Sequence, residues 1–237
     1  MTQSLLTQPY QRGSPKLHEK SIRCRLIDLG LIDYGASFSL QKELLASIKN
    51  KTSLDALIFC EHPHTFTLGR LSKKDNILCG EEGIKKRGIS VNRVDRGGEV
   101  TYHGPGQLVV YPIFNLSHYK KDLKFYLDTL ENVIIATLLK CNVHAEKRPS
   151  FRGAWIDGKK IASIGIAVHH WITCHGLALN VNTDLSYFSM IRPCGLDITM
   201  TSIESVLGNT NDISKVKQVM LDNFVKSFNL EIMEGGK

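Results

Sequence analysis

The sequence predicts an α+β fold, with a mixed or antiparallel sheet and flanking helices. Three observations carry this expectation: apolar runs of strand length, three amphipathic stretches of helical period, and no regular alternation of strand and helix. Residues 22–29 alternate apolar and polar side chains, as a half-buried strand does. Over 33–49, Leu40, Leu44, Leu45 and Ile48 fall at helical spacing, with Asp33 placed to cap the first turn. Residues 56–60 form a short apolar run ending in Glu61-His62-Pro63, a buried strand entering a turn. Residues 89–94 lead into a glycine-rich stretch and 108–114 lead out of it as another apolar strand. The clearest helix is 123–140, with Leu123, Tyr126, Leu127, Leu130, Ile134 and Leu138 on one stripe. Strands are then expected over 151–156, 160–169 and 171–181. Asp157-Gly158 is a hairpin signal between the first two, and His169-His170 joins the next pair. Residues 213–228 close the chain as an amphipathic helix.

At 237 residues and 42% apolar content, the chain can bury a sizeable core. We expect residues 1–20 to be a mobile N-terminal arm and 21–237 a single domain. No apolar run approaches the roughly 18 residues that span a bilayer, and no secretory signal opens the chain. A cytoplasmic protein with reduced thiols and no membrane association is therefore expected. The six cysteines are scattered, without a Cys-x-x-Cys pair, and no His/Cys/carboxylate spacing suggests a metal. The net charge of +7 is concentrated at Lys73-Lys74, Lys85-Lys86-Arg87, Lys120-Lys121 and Lys147-Arg148. Such clusters are either solvated surface or a docking face for an acidic macromolecule. They are short and lack interleaved aromatics, so nucleic acid is not the expected partner.

The most informative stretch runs from Arg96 to Pro112. Gly97, Gly98, Gly104 and Gly106 surround Arg96, Thr101, His103 and Gln107. Glycines let a backbone approach a ligand closely, and Gly104-Pro105-Gly106 fits a type II turn. No Gly-Lys-Ser/Thr follows, and the spacing is not Gly-x-Gly-x-x-Gly, so a nucleotide site is unsupported. A second candidate is Pro193-Cys194-Gly195, where a turn can present a thiol. Only the thiolate is a strong nucleophile, so an activating group is needed nearby. Lys160 is a candidate, since the small residues after it leave room for a ligand; spacing alone does not bring the two together. His103 either contacts substrate or orients the loop. His62 reads as a turn-stabilising residue, His169 and His170 as solvent-facing, and Cys174 as a packing residue.

Several motifs in order resemble the octanoyltransferase family of lipoate biosynthesis. They are Glu61-His62-Pro63 with Thr67-Leu68-Gly69, the run from Asp95 to Gln107, and the run from Gly158 to Gly165. His175-Gly176-Leu177-Ala178-Leu179-Asn180 and Pro193-Cys194-Gly195 complete the set, and the resemblance covers about 22–210. It implies the fold shared by biotin and lipoate protein ligases, with Cys194 as nucleophile paired with Lys160. It maps an acyl pocket onto Arg96, Gly97, Gly98, Glu99, Val100, Thr101, Tyr102 and His103, then Ser163, Ile164, Gly165, Gly176, Leu177 and Ala178. The implied reaction moves an octanoyl group from octanoyl-acyl carrier protein to a lysine of a lipoyl domain, by way of a cysteine thioester. Acceptors would be lipoyl domains of 2-oxoacid dehydrogenases and the glycine cleavage H protein, and no cofactor or metal is implied. The alternatives are an ATP-dependent lipoate or biotin ligase of the same fold, and a non-catalytic binder of lipoyl domains or carrier proteins.

Overall fold

Eight strands form one mixed sheet and three form a second, smaller one. The computed structural model describes residues 20–192 and 198–233. The first half of the chain carries β1 (Ile22–Leu31), α1 (Tyr34–Lys49), β2 (Asp55–Glu61), β3 (Thr65–Leu68), α2 (Gly80–Lys86), β4 (Ser90–Arg93), β5 (Val100–His103) and β6 (Gln107–Ile113). The second carries α3 (Leu123–Lys140), β7 (Glu146–Arg148), β8 (Phe151–Ile156), β9 (Lys159–His169), β10 (Ile172–Asn180), α4 (Ile203–Leu207), α5 (Ile213–Phe228) and β11 (Leu230–Met233). The large sheet has the order β11-β1-β2-β6-β10-β9-β8-β7 and the small one β4-β3-β5. β1 runs parallel to both β2 and β11, and the other large-sheet pairings are antiparallel. The expected α+β class with a mixed sheet is what the chain adopts.

Both faces of the large sheet are covered, which is why its central strands read as continuous apolar runs. Leu57, Phe59, Leu108 and Val110 point to one face, packed with residues of α3 and α5. Ile58, Cys60, Val109 and Tyr111 point to the other, beneath Leu44 and Ile48 of α1. Asp33 caps α1 by accepting the Ala36 amide, and Asp122 caps α3 by accepting that of Phe125. The small sheet buries Phe66, Val100 and Tyr102 against Phe188 and Met190. Its strands are four residues each, too short for a period to declare itself.

Two hairpins frame β9. Asp157 and Gly158 have φ +47° and +79°, so the expected Asp-Gly turn joins β8 to β9 with both central residues left-handed. At the other end, the expected strand start at Trp171 is corrected. His170 and Trp171 form the turn, at φ +52° and +66°, because Ile172 pairs directly with His169. The Trp171 carbonyl is held by the Leu116 amide at 2.7 Å. The expected arm falls on residues 1–19, outside the described residues, and on Lys20. No helix among the described residues is long and apolar enough to cross a membrane.

Candidate active site

The motif Thr67-Leu68-Gly69 is the seat of Arg96. Arg96 is buried, and its Nε and Nη2 donate to Thr67 Oγ1 at 3.2 and 2.9 Å. Nη2 also reaches the Thr67 carbonyl at 2.7 Å, and Nη1 the Gly97 carbonyl at 3.0 Å. A side chain at Gly69 would collide with the Gly98 carbonyl and stand 2.7 Å from Arg96 Nη1. The glycine therefore lets the loop fold down over its own arginine. At the far end of the loop, Gln107 N donates to the Gly104 carbonyl at 3.1 Å and Gly106 has φ +79°. This is the type II turn the sequence suggested. The Gly106 amide donates to Glu61 Oε2 at 2.7 Å, which gives the glutamate of Glu61-His62-Pro63 its task.

A chain of bonds fixes the protonation of His103. Asn180 Nδ2 donates to the Thr201 carbonyl, so Asn180 Oδ1 accepts from Gln107 Nε2 at 2.9 Å. Gln107 Oε1 then faces His103 Nδ1 at 2.7 Å, and that nitrogen carries the proton. Burial pushes the His103 pKa down to about 3, helped by nearby His62 and Arg96 and opposed by the Gln107 bond. His103 is thus a neutral imidazole with Nε2 unprotonated. His62 is likewise buried and neutral: Nδ1 donates to the Ile32 carbonyl at 2.7 Å, and Nε2 accepts from the Tyr111 hydroxyl at 2.9 Å. Its expected turn-stabilising role fits these partners.

β10 supplies the opposite wall. The register Leu177 with Val110 and Ile172 with Asn115 sets His175 opposite Pro112, which has no amide to donate. His175 leaves the regular strand conformation there, at φ +60°, and its own amide is taken by Gln41 Oε1 at 2.9 Å. Its imidazole donates from Nε2 to Asp95 Oδ1 at 2.7 Å, while Nδ1 faces the Tyr34 hydroxyl at 3.4 Å. The second Asp95 oxygen accepts from His169 at 2.8 Å, and His169 remains exposed, as the sequence reading expected. Burial raises the Asp95 pKa, yet the two histidine bonds outweigh it and hold the carboxyl below its usual value. Gly176 must be glycine, because a side chain there would strike the Val110 carbonyl and stand 2.7 Å from Pro112 Cδ.

Lys160 opens the third wall, 8% exposed on β9. Its amide donates to the Thr199 carbonyl and its carbonyl accepts from Thr201, both at 2.9 Å. Cys194 lies outside the described residues. On its N-terminal side, Arg192 is held by Asn76, with N–H to Asn76 O at 2.8 Å and Asn76 Nδ2 to Arg192 O at 3.1 Å. The same Nδ2 donates to Glu99 Oε2 at 2.6 Å.

These walls enclose a cleft of about 710 Å³, the open solvent at its mouth included. It is lined by Arg96, Gly97, Gly98, Glu99, Val100, Thr101 and His103 from the loop and β5. Ser163, Ile164 and Gly165 of β9, Gly176, Leu177 and Ala178 of β10, and Lys160 complete what the sequence singled out. Tyr102 is not brought to the cleft. It points to the other side of β5, its hydroxyl 2.8 Å from His64 Nδ1 and its ring stacked on Tyr187. Strand alternation sends neighbours to opposite faces, so Tyr102 cannot face the cleft alongside Thr101 and His103. Sequence reasoning missed Tyr34, Val109, Tyr111, His175, Ile198 and Met200, which also line it. His175 stood inside a quoted motif, and Val109 and Tyr111 at the strand end of the Arg96–Pro112 stretch, where they read as core; Tyr34, Ile198 and Met200 carry no local signal. Cys174 is buried beside Gln41, and burial with the nearby Asp95 charge pushes its pKa up to about 12, which fits the packing role. Among the described residues no cluster of three or more His, Cys, Asp or Glu could hold a metal ion.

Over residues 33–225 the chain matches the family described as the lipoyl protein ligase A/B catalytic domain. It is 43% identical over 212 residues to an octanoyltransferase of Solibacter usitatus, covering 90% of this chain and 96% of the relative. In fold it is similar to Ta0514, a putative lipoate protein ligase from T. acidophilum with bound lipoic acid. That match has TM-score 0.69 and 18% identity over 90% of this chain and 89% of the other. The biotin protein ligase of Aquifex aeolicus, in complex with biotin and ATP, is similar at TM-score 0.52 and 15% identity, covering 86% and 70%.

Proposed function

The chain belongs to the octanoyltransferase family, and from that premise we propose that it transfers an octanoyl group through a thioester on Cys194. The donor in this reading is octanoyl-acyl carrier protein. The acceptors are lysines on lipoyl domains of 2-oxoacid dehydrogenases and on the glycine cleavage H protein. One observation carries the reading: the Arg96–His103 loop, the small residues of β9 and β10, and Lys160 converge on a single cleft. The chain on the C-terminal side of Cys194 is bonded to Lys160, and that on its N-terminal side to Asn76 beside Glu99.

The residues present suit this chemistry. The Cys194 thiolate attacks the thioester carbonyl, an S–C bond forms, and the carrier's phosphopantetheine thiolate leaves and takes up a proton. One thioester replaces another, so the step is nearly balanced in energy. The acceptor amine then attacks the acyl-enzyme carbonyl, the N–C bond forms, and the S–C bond to Cys194 breaks. The amine's surplus proton returns to the pair of Cys194 and Lys160. Amide formation from a thioester is downhill and needs no nucleotide. As ammonium, Lys160 stabilises the thiolate; as amine, it accepts the proton of the incoming lysine. The two groups then titrate as one coupled unit. Val109, Leu177 and Ala178 offer an apolar wall to an acyl chain.

The test is octanoyl-carrier protein plus apo lipoyl domain, without ATP, followed by the mass of the domain. Transfer without ATP supports the reading, strict ATP dependence favours a ligase, and no transfer in either condition leaves a binder. Intact-protein mass on Cys194→Ser checks the intermediate. An undiminished octanoyl adduct on that variant removes Cys194 from the role.

A further inference from the structure

Building on the reading of Lys160 as the activating group, we infer that Trp155 is a positioning residue that holds the Lys160 ammonium in the cleft. The pair is set up by the sheet itself. Ala154 pairs with Ala162, but Trp155 pairs with Lys160, so Ile161 is an extra residue in β9. A one-residue bulge of this kind re-aims the side chains that follow it. Here Ile161 and Ala162 are both buried in the core, and Lys160 comes to lie directly across from Trp155. Lys160 Nζ stands over the indole ring, 5.3 Å from its centroid.

The ring is fixed independently of the lysine. Trp155 is 2% exposed, and its Nε1 donates to the Phe151 carbonyl at 3.2 Å. The Arg148 guanidinium of β7 lies over the same ring at 5.0 Å. Gly153, two residues before Trp155, leaves room for the stem, because a Cβ there would come within 2.9 Å of Lys160 Cε. Its amide is held by Glu131 Oε1 of α3 at 3.2 Å, and Glu131 also accepts from Arg152 at 3.0 Å. Arg148, Glu131 and Arg152 are thus the charged groups that bear on Trp155 and Gly153 among these contacts. A lysine on a four-carbon stem has large rotamer freedom, and an indole face is the aromatic surface that attracts an ammonium most strongly. An aliphatic residue of similar bulk would fill the space without offering that attraction.

The experiment compares wild type, Trp155→Phe, Trp155→Leu and Lys160→Ala in two measurements. The first is the 1H–13C signal of the Lys160 εCH2, assigned by its absence in Lys160→Arg. We expect an upfield ring-current shift in wild type, kept in part with Phe and lost with Leu. An unshifted wild-type signal overturns the positioning outright, and needs no variant to fold. The second is octanoyl transfer and thiol alkylation as functions of pH. Trp155→Leu is expected to lower kcat about tenfold with an unchanged KM for the donor, and to raise the alkylation midpoint by about one pH unit. Trp155→Phe should stay within about threefold of wild type, since it keeps an aromatic face. Equal impairment by Phe and Leu, or an unchanged kcat and midpoint with Leu, overturns the inference. Full activity in Lys160→Ala overturns the underlying reading of Lys160 instead, while the ring-current result stands by itself.

Discussion

His175 donates from its imidazole Nε2 to Asp95 Oδ1 at 2.7 Å, joining the strand behind the cleft to the loop in front of it. Asp95 directly precedes Arg96 and Gly97, and the Gly97 amide donates to the Ile166 carbonyl at 2.9 Å. The loop is therefore pinned to the β9–β10 hairpin through one carboxylate and one backbone bond.

Asp95→Asn should loosen that pin. The carboxylate accepts from His175 and His169 at once, whereas an amide has one accepting oxygen and would turn an N–H toward the other histidine. We expect a loss of about 1–2 kcal/mol, kept small because Asp95 is partly exposed. Amide hydrogen exchange at Gly97 and urea unfolding check this. Unchanged protection of Gly97 would show that the carboxylate does not hold the loop.

Acid should destabilise the protein through three buried neutral histidines. His62, His103 and His175 all have lowered pKa values, with burial the leading cause in each. The unfolded chain takes up protons near the ordinary histidine value, and the folded chain resists doing so. Stability is thus fully present above about pH 6.5 and falls as pH drops toward the folded values, with His103 the last to protonate, near pH 3. Each histidine adds a slope of up to about 1.4 kcal/mol per pH unit within its window. His103→Gln should remove one such contribution. Urea titrations between about pH 4.5 and about pH 7.5 measure it, and a flat profile would refute the neutral assignments.

Two glycines of similar appearance in sequence should respond very differently. Gly176→Ala drives a methyl into the Val110 carbonyl on the adjoining strand and should cost about 1–3 kcal/mol or more. Gly158 has φ +79° but open space around it, and asparagine tolerates that conformation. Gly158→Asn should therefore cost less than about 1 kcal/mol. Thermal melts of the two variants decide; equal shifts would mean that strand crowding at Gly176 is relieved by movement.

The same contrast explains what the sequence disclosed and what it withheld. Ile58 and Phe59, buried on opposite faces of the sheet, announced a buried strand by apolar content alone. Glu61, Gly69, Arg96 and Gly106 stood in recognisable motifs, but their mutual contacts join positions as far as 45 residues apart and have no local trace. Tyr34 and Tyr111 reach the cleft from a helix start and a core strand, where composition reads as packing. The bulge at Ile161 was invisible for another reason: it is defined only by the partner strand. Tyr102 was drawn into the expected pocket because a contiguous motif hides the alternation of its faces.

Thiol reactivity offers the most direct check on the proposed chemistry, because the other cysteines supply internal controls. Cys24, Cys60 and Cys174 are buried, and burial raises the pKa of each thiol, most moderately for Cys174 at about 12. Cys141 is half-buried and also raised by burial. None of these four offers much thiolate near neutral pH, so alkylation there should spare them. In the proposed mechanism Cys194 is the thiol that a neighbouring ammonium activates. Iodoacetamide at about pH 7 should then mark Cys194 first, with partly exposed Cys79 slower. Lys160→Ala should remove the preference by returning Cys194 toward ordinary thiol behaviour, near pKa ~8.5, without changing labelling at Cys79. Peptide mass mapping over a time course reads every site in one experiment. Equal rates at Cys194 and Cys79 in the wild-type protein would deny the thiol any special activation. A Cys194 rate unchanged by Lys160→Ala would assign its activation to some other group.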